Sequence, residues 1–228
     1  MSNLSQEINL QVSTGHKQIL RIALPISLAI MVPQLNFITN NIFLGGLGQE
    51  SLGLAGITGV YYLIFAVVGH GLNNGLQALI SRRAGENRVN EIGKLFTQGI
   101  FISLVFAILG ILITWFLAPV VLGWSLHDPA RVEKAVQFLN IRILGLPFLY
   151  VYQMRNALLV GTNQTNYLII GTATEAIVNV FFDYTLIYGK LGLPQLGFNG
   201  AAYASIISEI AGLLVLILVL KLKGINKQ

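Results

Sequence analysis

Apolar residues along this chain are gathered into six segments, separated by short polar or glycine-rich stretches. A helix of about 20 mainly apolar residues crosses the hydrocarbon core of a bilayer, and each segment reaches that length. The pattern therefore predicts an all-α fold, a polytopic membrane helix bundle with six transmembrane helices. The predicted spans are residues 18–43, 51–80, 99–121, 132–159, 166–190 and 198–220.

Composition supports a membrane protein. Hydrophobic residues make up 54% of the chain and charged residues only 10%, whereas a soluble domain carries about 25% charged residues. The chain has no cysteine, which excludes disulfides, iron–sulfur clusters and thiol catalysis. No stretch interleaves basic and aromatic residues as a nucleic-acid surface would. We expect no cofactor and no nucleic-acid partner.

Basic residues are distributed unevenly between the two ends of the predicted spans, and cytoplasmic loops of membrane proteins are enriched in lysine and arginine. The bias predicts a multi-pass protein of the cytoplasmic (inner) membrane with both termini in the cytoplasm. It also divides the chain into a lead-in (1–17), a transmembrane lobe (18–220) and a basic tail (221–228). Ten basic residues lie on the predicted cytoplasmic side: Lys17, Arg21, Arg82, Arg83, Arg88, Lys94, Arg155, Lys221, Lys223 and Lys227. The other side holds Arg131, Lys134 and Lys190.

The fifth segment carries an acidic face. Glu175, Asn179 and Asp183 recur at intervals of four residues, which places them on one side of a helix. A carboxylate at membrane depth costs about 2.5–3.5 kcal/mol even on insertion scales, so it is rarely kept without a partner or a function. An acid and an amide one turn apart can hold a proton or a small cation. The opposite side, with Ile177 and Phe181, suits lipid or packed helices.

Three further segments contain polar or charged residues at predicted membrane depth. The first segment has a cluster of amides, for which two interpretations stay open: hydrogen bonds between helices, worth about 0.6–2 kcal/mol each, or the wall of a cavity. Elsewhere Arg142 lies inside the fourth segment and Glu209 inside the sixth, and we expect Arg142 to be paired within the bundle. The amides of the first segment are Gln34, Asn36, Asn40 and Asn41.

Five short motifs occur in order along the chain. The fifth segment has an asparagine, three apolar residues and an aspartate over 179–183, followed by an exit of Leu-Ile-Tyr-Gly. The others are Leu-Pro-Ile at 24–26, the exit at 42–48, the loop at 77–86 and the start of the sixth segment at 197–202. As a set they resemble the multidrug and toxic compound extrusion (MATE) transporters, and the resemblance covers residues 18–220.

The resemblance implies a site for a coupling cation, Na+ or H+, formed by Asn156, Asn179 and Asp183. Members of this family commonly carry an aspartate where this chain has Asn40, which we include in the predicted site with one charge fewer. Glu175 and Glu209 are additional acids, and Glu175 is placed to compensate electrostatically. The predicted cavity lining is Gln34 and Asn36, and the only metal expected is Na+ at Asp183.

The resemblance also implies an architecture. MATE transporters have twelve helices in two six-helix lobes around a central cleft, and this chain matches the amino-terminal lobe. We expect a second six-helix lobe, or a second copy of this chain, as its partner. A single lobe would leave Asn40, Asn156 and Asp183 towards lipid, where unsatisfied polar groups are costly.

The predicted function is a cation-coupled antiporter that exports amphipathic or cationic drugs and toxic compounds, and not an enzyme. An intramembrane enzyme would need a pair of acids, or a histidine and an acid, at one depth in the membrane. Glu175 and Asp183 are eight residues, about 12 Å, apart along a helix, which is too far for two carboxyl groups to share a proton. Two alternatives remain: a lipid-linked oligosaccharide flippase of the same superfamily, and a non-transporting membrane assembly subunit. A structural role for Asp183, paired with Arg142, is the alternative at the level of the site.

Overall fold

A computed structural model describes residues 16–222 of the chain, and this part contains helices and no strand. A short 3-10 turn, Ile143–Gly145, separates α4 from α5. Most of the expected lead-in and most of the expected basic tail lie outside the described residues. The helices are α1 (His16–Gly45), α2 (Gln49–Gly85), α3 (Val89–Ser125), α4 (Pro129–Arg142), α5 (Leu146–Gly161), α6 (Asn166–Tyr188) and α7 (Phe198–Leu222).

The predicted all-α membrane bundle is confirmed, whereas the number of spans is confirmed only in part. Within the described residues, four segments are long and apolar enough to cross a membrane: 49–85, 89–125, 129–161 and 198–222. The third of these joins α4 and α5 into one segment. The two remaining predicted spans correspond to α1 and α6, which carry the amide cluster and the acidic face. Six spans therefore remain a prediction.

The fourth predicted span is interrupted just before Pro147. Pro147 lacks an N–H, and its ring would clash with the carbonyl four residues earlier in a regular helix. That carbonyl belongs to Ile143, the first residue of the 3-10 turn. The start of α4 also follows from its sequence, since Asp128 accepts a hydrogen bond from the backbone N of Ala130 at 3.0 Å and Pro129 is the first helical residue.

Two of the turns between helices contain an asparagine in a left-handed conformation. Asn87, after α2, and Asn163, after α5, have φ values of 59° and 60°, a left-handed conformation that asparagine tolerates better than most residues. The amide that follows each asparagine reaches back five residues: Arg88 N to Arg83 O at 2.9 Å and Gln164 N to Leu159 O at 2.7 Å. These bonds satisfy carbonyls at the helix ends, so consecutive helices reverse direction over a few residues.

Charged residues fix the turn between α2 and α3. Glu86 accepts hydrogen bonds from Arg83 Nη1 at 2.7 Å and from Arg82 Nε at 3.0 Å. These bonds, the Arg83 bond first, hold the pKa of Glu86 below its usual range. Arg83 also pairs with Glu91 at the start of α3, with Nε–Oε2 at 2.9 Å. The cluster lies at the end that the basic-residue bias assigns to the cytoplasm.

The α6–α7 hairpin is the most extensive helix pair in the bundle. Its close approach comes from small residues, because a Cβ on Gly200 would stand 2.8 Å from the backbone oxygen of Leu186. A face of small residues spaced three to four apart on α7 is buried and lets the helices approach closely. It consists of Ala201, Ser205, Ser208 and Gly212.

Large apolar side chains cover much of the outer surface of the described bundle. Phe116 on α3 and Ile177 on α6 are 74% and 70% exposed. A soluble protein rarely exposes contiguous apolar patches of this kind. The outer face of α6, with Ile177 and Phe181, is exposed in the lobe, as expected for a side that suits lipid or packed helices.

Candidate cation site

The inner face of α6 buries the two central residues of the predicted site. Asn179 is 2% exposed and Asp183 is fully buried, while Ile177 on the opposite side is 70% exposed. Glu175, one turn before Asn179, is partly buried. The four-residue spacing accounts for this arrangement, because it rotates each side chain only about 40° from the previous one.

Helix α1 packs beside this face, and its register with α6 is fixed by aromatic residues. The hydroxyl of Tyr188 donates a hydrogen bond to the backbone oxygen of Phe43 at 2.7 Å. The Phe43 ring lies 6.4 Å from the ring of Tyr184 and 6.1 Å from that of Tyr188, centroid to centroid. Because these residues stand near the carboxyl ends of both helices, α1 and α6 run parallel.

This register sets the depth of Asn40. Asn40 lies three residues before Phe43, and Asp183 lies three residues before the midpoint of Tyr184 and Tyr188. At a rise of about 1.5 Å per residue, Asn40 and Asp183 stand at the same level on neighbouring parallel helices. By the same reasoning Asn36 stands at the level of Asn179. The structure thus brings the residue that replaces the family aspartate level with the buried carboxylate.

The predicted site residues share one chemical property. Their side-chain oxygens are buried, and within residues 16–222 none of them takes part in a hydrogen bond. Buried polar atoms are paired in the large majority of cases, so each exception calls for an explanation. Carboxylate and amide oxygens are ligands of small hard cations, and a carboxylate also binds a proton. The oxygens are Oδ1 of Asn40, Asn156 and Asn179 and both Oδ1 and Oδ2 of Asp183.

The other predicted residues are placed less closely together. Asn156 lies on α5, five residues before that helix ends, and its place beside Asn179 and Asp183 stays a prediction. Gln34 is exposed and Asn36 is partly buried, and their role as cavity lining stays a prediction. Asn41 differs from Asn40, because its Nδ2 donates to the Phe37 oxygen of its own helix at 3.0 Å.

Arg142 has a partner that sequence reasoning missed. Its guanidinium contacts the carboxylate of Glu209 on α7 at two points, Nη2–Oε1 at 2.5 Å and Nη1–Oε2 at 3.2 Å. The expectation that Arg142 is paired within the bundle is confirmed. The alternative pairing of Arg142 with Asp183 is not present, and Asp183 makes no ion pair with any described residue. The sequence signal was a basic residue inside the fourth predicted span and an acidic residue inside the sixth, but the sequence does not give the register that would bring the two together.

Comparison with known proteins identifies the family. The MatE family model matches residues 25–185, which is more than half of the chain, and the chain belongs to this family. The resemblance drawn from its motifs is thereby confirmed.

Two curated relatives carry the same description, probable multidrug resistance protein NorM. The protein from Synechocystis sp. is 26% identical over 206 residues, covering 90% of this chain and 44% of the relative. The protein from Halalkalibacterium halodurans is 30% identical over 198 residues, covering 82% of this chain and 42% of the relative. The chain therefore spans less than half the length of these relatives.

This chain also covers slightly less than half of each solved structure that it resembles. A MATE transporter crystallised in a bent conformation aligns with a TM-score of 0.86 at 22% identity, over 96% of this chain and 48% of that one; this likeness concerns the fold alone. An outward-facing multidrug resistance MATE transporter of the MOP superfamily aligns with a TM-score of 0.77 at 26% identity, over 90% of this chain and 45% of that one.

Proposed function

We propose that this chain is the amino-terminal lobe of a cation-coupled antiporter that exports amphipathic or cationic compounds across the cytoplasmic membrane. The observation that carries the proposal is the fully buried carboxylate of Asp183, which lies without a hydrogen bond among the described residues and level with Asn40. Membership of the MatE family and the multidrug resistance names of its relatives support transport rather than catalysis.

The coupling role of Asp183 follows from the cost of burying its charge. An ionised carboxylate in a low-dielectric site is expensive unless it is paired, and the nearby groups on α1 and α6 are neutral amides. A bound proton or Na+ removes this cost, so the cation favours the conformation in which Asp183 is enclosed. A ligand shifts a conformational equilibrium only by its differential affinity for the two states. Cation and exported compound must therefore favour different arrangements of α1 and α6.

Asn40 limits the charge of this site. With asparagine at this position the proposed site contains one carboxylate, Asp183, beside the amides of Asn40, Asn156 and Asn179. One proton or one Na+ is enough to neutralise it. The amide oxygens can contribute to Na+ binding but bind no proton at physiological pH. A measured preference for Na+ would thus show that the amides take part in cation binding. A preference for protons would assign cation binding to Asp183 alone.

A complete transport path needs a second lobe. The chain covers 42–44% of its curated relatives, and the proposed partner is another six-helix lobe or a second copy of this chain. With both termini in the cytoplasm, the polar face of α1 and α6 would look into the cleft between the lobes.

The flippase alternative receives less support than drug export. Such a cavity needs free cationic side chains for an anionic lipid-linked headgroup. Arg142, the cation that this alternative would use, is held by Glu209 at two points.

Transport in reconstituted vesicles tests the proposal. The chain, together with a carboxy-terminal lobe from a relative, is placed in proteoliposomes, and export of the cationic dye ethidium is followed under an imposed Na+ or pH gradient. Asp183→Asn keeps the shape of the side chain but removes its charge, so gradient-driven export should be lost. Asp128→Asn is the matched control, because asparagine caps a helix as well as aspartate does. Export by Asp183→Asn with unchanged ion dependence would make Asp183 structural.

A further inference from the structure

A second group of buried ionisable residues lies in the lobe, apart from Asp183. Its centre is the ion pair of Arg142 and Glu209, whose side chains are 14% and 5% exposed. The ring of Tyr62 on α2 lies against the guanidinium, 4.0 Å from its carbon to the ring centroid, an arrangement typical of a cation–π contact. Helices α2, α4 and α7 thus meet at one guanidinium.

Glu175 on α6 adjoins this pair. Its Cβ lies 3.3 Å from the point where a Cβ would stand on Gly212, and Gly212 is one helical turn beyond Glu209 on α7. A methyl group at Gly212 would force α6 and α7 apart by a few tenths of an ångström. Glu175 also interacts electrostatically with Glu209 and Arg142. Within the described part of the chain, its carboxylate makes no hydrogen bond and no ion pair. Glu175 is thus a second carboxylate close to Arg142, whose guanidinium is already paired with Glu209.

A tyrosine from α5 completes the surroundings of Glu175. Tyr152 is 5% exposed, and its hydroxyl is buried without a hydrogen-bond partner in the described part of the chain. The hydroxyl lies 2.8 Å from the position of a Cβ on Gly171, one turn before Glu175 on the same face of α6. A buried phenol without a hydrogen-bond partner beside a carboxylate indicates a polar pocket that can hold one more proton.

The charges of this group do not balance. The two carboxylates, Glu175 and Glu209, would carry two negative charges when ionised, against the single positive charge of Arg142. The phenols are neutral at physiological pH. A net charge buried among helices is costly, and a carboxyl group in such a place neutralises instead. The ionisable groups that surround Glu175 are Arg142 on α4, Glu209 on α7, Tyr62 on α2 and Tyr152 on α5.

We propose that Glu175 binds a proton at neutral pH and, beside the Arg142–Glu209 pair, forms a second proton-binding site in this lobe, separate from Asp183. A proton suits the group better than a metal ion, since the described residues contain no group of three or more acidic, histidine or cysteine side chains that could hold one. Glu175 and Asp183 stand eight residues apart, about 12 Å along α6, so the two carboxyl groups do not share one proton. The inference does not depend on the proposed transport function.

Infrared difference spectroscopy of the whole chain in lipid measures this proton directly, because a protonated carboxyl group has a C=O stretch that a carboxylate lacks. At neutral pH, Glu175→Gln should remove one carboxylic-acid band. Glu209→Gln should remove the same band although Glu175 is intact, because Arg142 is then free to neutralise Glu175. Asp183→Asn should leave this band in place. Glu133→Gln, an exposed change on α4, is the control for the effect of substitution itself.

Two outcomes would overturn the proposal. If the spectrum of Glu175→Gln keeps every band of the unchanged chain, Glu175 is ionised and holds no proton. If Glu209→Gln leaves the Glu175 band intact, the proton does not depend on the charge balance with Arg142. Helicity by circular dichroism, equal in all variants, shows that they fold, and the two substitutions report on the same proton by independent routes.

Discussion

The guanidinium of Arg142 and the carboxylate of Glu209 form a two-point ion pair, with Nη2–Oε1 at 2.5 Å and Nη1–Oε2 at 3.2 Å, between residues 67 positions apart in the chain. The pair ties the end of α4 to the middle of α7. It also occupies the guanidinium of Arg142, the one lysine or arginine that the basic-residue bias assigns to neither side of the membrane. Asp183 is thus left without an ion pair among the described residues, which is why we assign it to a cation that enters and leaves.

Breaking this pair on one side should destabilise the lobe strongly. Arg142→Met keeps much of the side-chain volume but leaves Glu209 buried without its charge partner, and such a change costs about 3–5 kcal/mol in the free energy of unfolding. Combining it with Glu209→Leu should recover much of the loss, because both charges are then removed. Thermal unfolding in detergent measures each variant.

An exposed ion pair provides the control for that experiment. Lys134 and Glu50 lie 3.5 Å apart at the surface, and Lys134→Met should cost less than about 1 kcal/mol. Equal losses for Arg142→Met and Lys134→Met would contradict the structural importance of the buried pair.

The close contact of α6 and α7 gives a second prediction. Gly200→Ala would place a methyl group 2.8 Å from the backbone oxygen of Leu186, and since backbone cannot move aside cheaply, the change should destabilise the hairpin by about 1–3 kcal/mol. Gly75 on α2 has no atom within 4 Å of its Cβ position. Gly75→Ala should be neutral or stabilising by up to about 1 kcal/mol. Chemical denaturation compares the two, and the reverse order of stability would be contrary to the packing described.

The membrane orientation can be tested because the chain has no cysteine of its own. Single cysteines at Ser81 and Asn166, which are exposed near the turns assigned to the cytoplasm, should be protected from an impermeant thiol reagent in intact cells. Cysteines at Gln49 and Gln195, exposed near the opposite turns, should react. If Gln49 and Gln195 were protected and Ser81 and Asn166 were labelled, the orientation would be the reverse of the predicted one. Labelling of all four positions would contradict six spans.

Pairing of the lobe is a further expectation. The chain alone should insert into the membrane but export no compound, because its polar face needs a second lobe. Cross-linking in membranes should yield a dimer, either with a co-expressed carboxy-terminal lobe or between two copies. Drug resistance should appear only with the co-expressed lobe. Resistance from a strictly monomeric chain would show that one lobe is sufficient.

Local features of this fold could be predicted from the sequence because they depend on neighbouring residues. Asp128 and Pro129 start α4, Pro147 follows a break in the helix, and the small residues of α7 form a packing face. The burial of Asn179 and Asp183 also follows from their spacing on α6. In each case helix periodicity or backbone chemistry is enough to determine the outcome.

Contacts between distant segments could not be predicted in the same way. The pairing of Arg142 with Glu209 depends on the register of α4 against α7, and nothing in either segment specifies it. The unpaired phenol of Tyr152 beside Glu175 depends on how closely Gly171 and Gly212 let α5, α6 and α7 approach. Apolar periodicity indicates which face is buried, but it carries no information about which polar residue of another helix that face will meet.

Release of a bound compound by the coupling cation tests the central claim most directly. A fluorescent lipophilic cation is bound to the purified chain, paired with its second lobe, and fluorescence polarisation follows its release as the Na+ or proton concentration is raised. We expect release by one of the two cations from the unchanged protein and from Asp128→Asn, and no cation-dependent release from Asp183→Asn. Release from Asp183→Asn at the same cation concentration as from the unchanged protein would contradict the assignment of Asp183 as the coupling carboxylate.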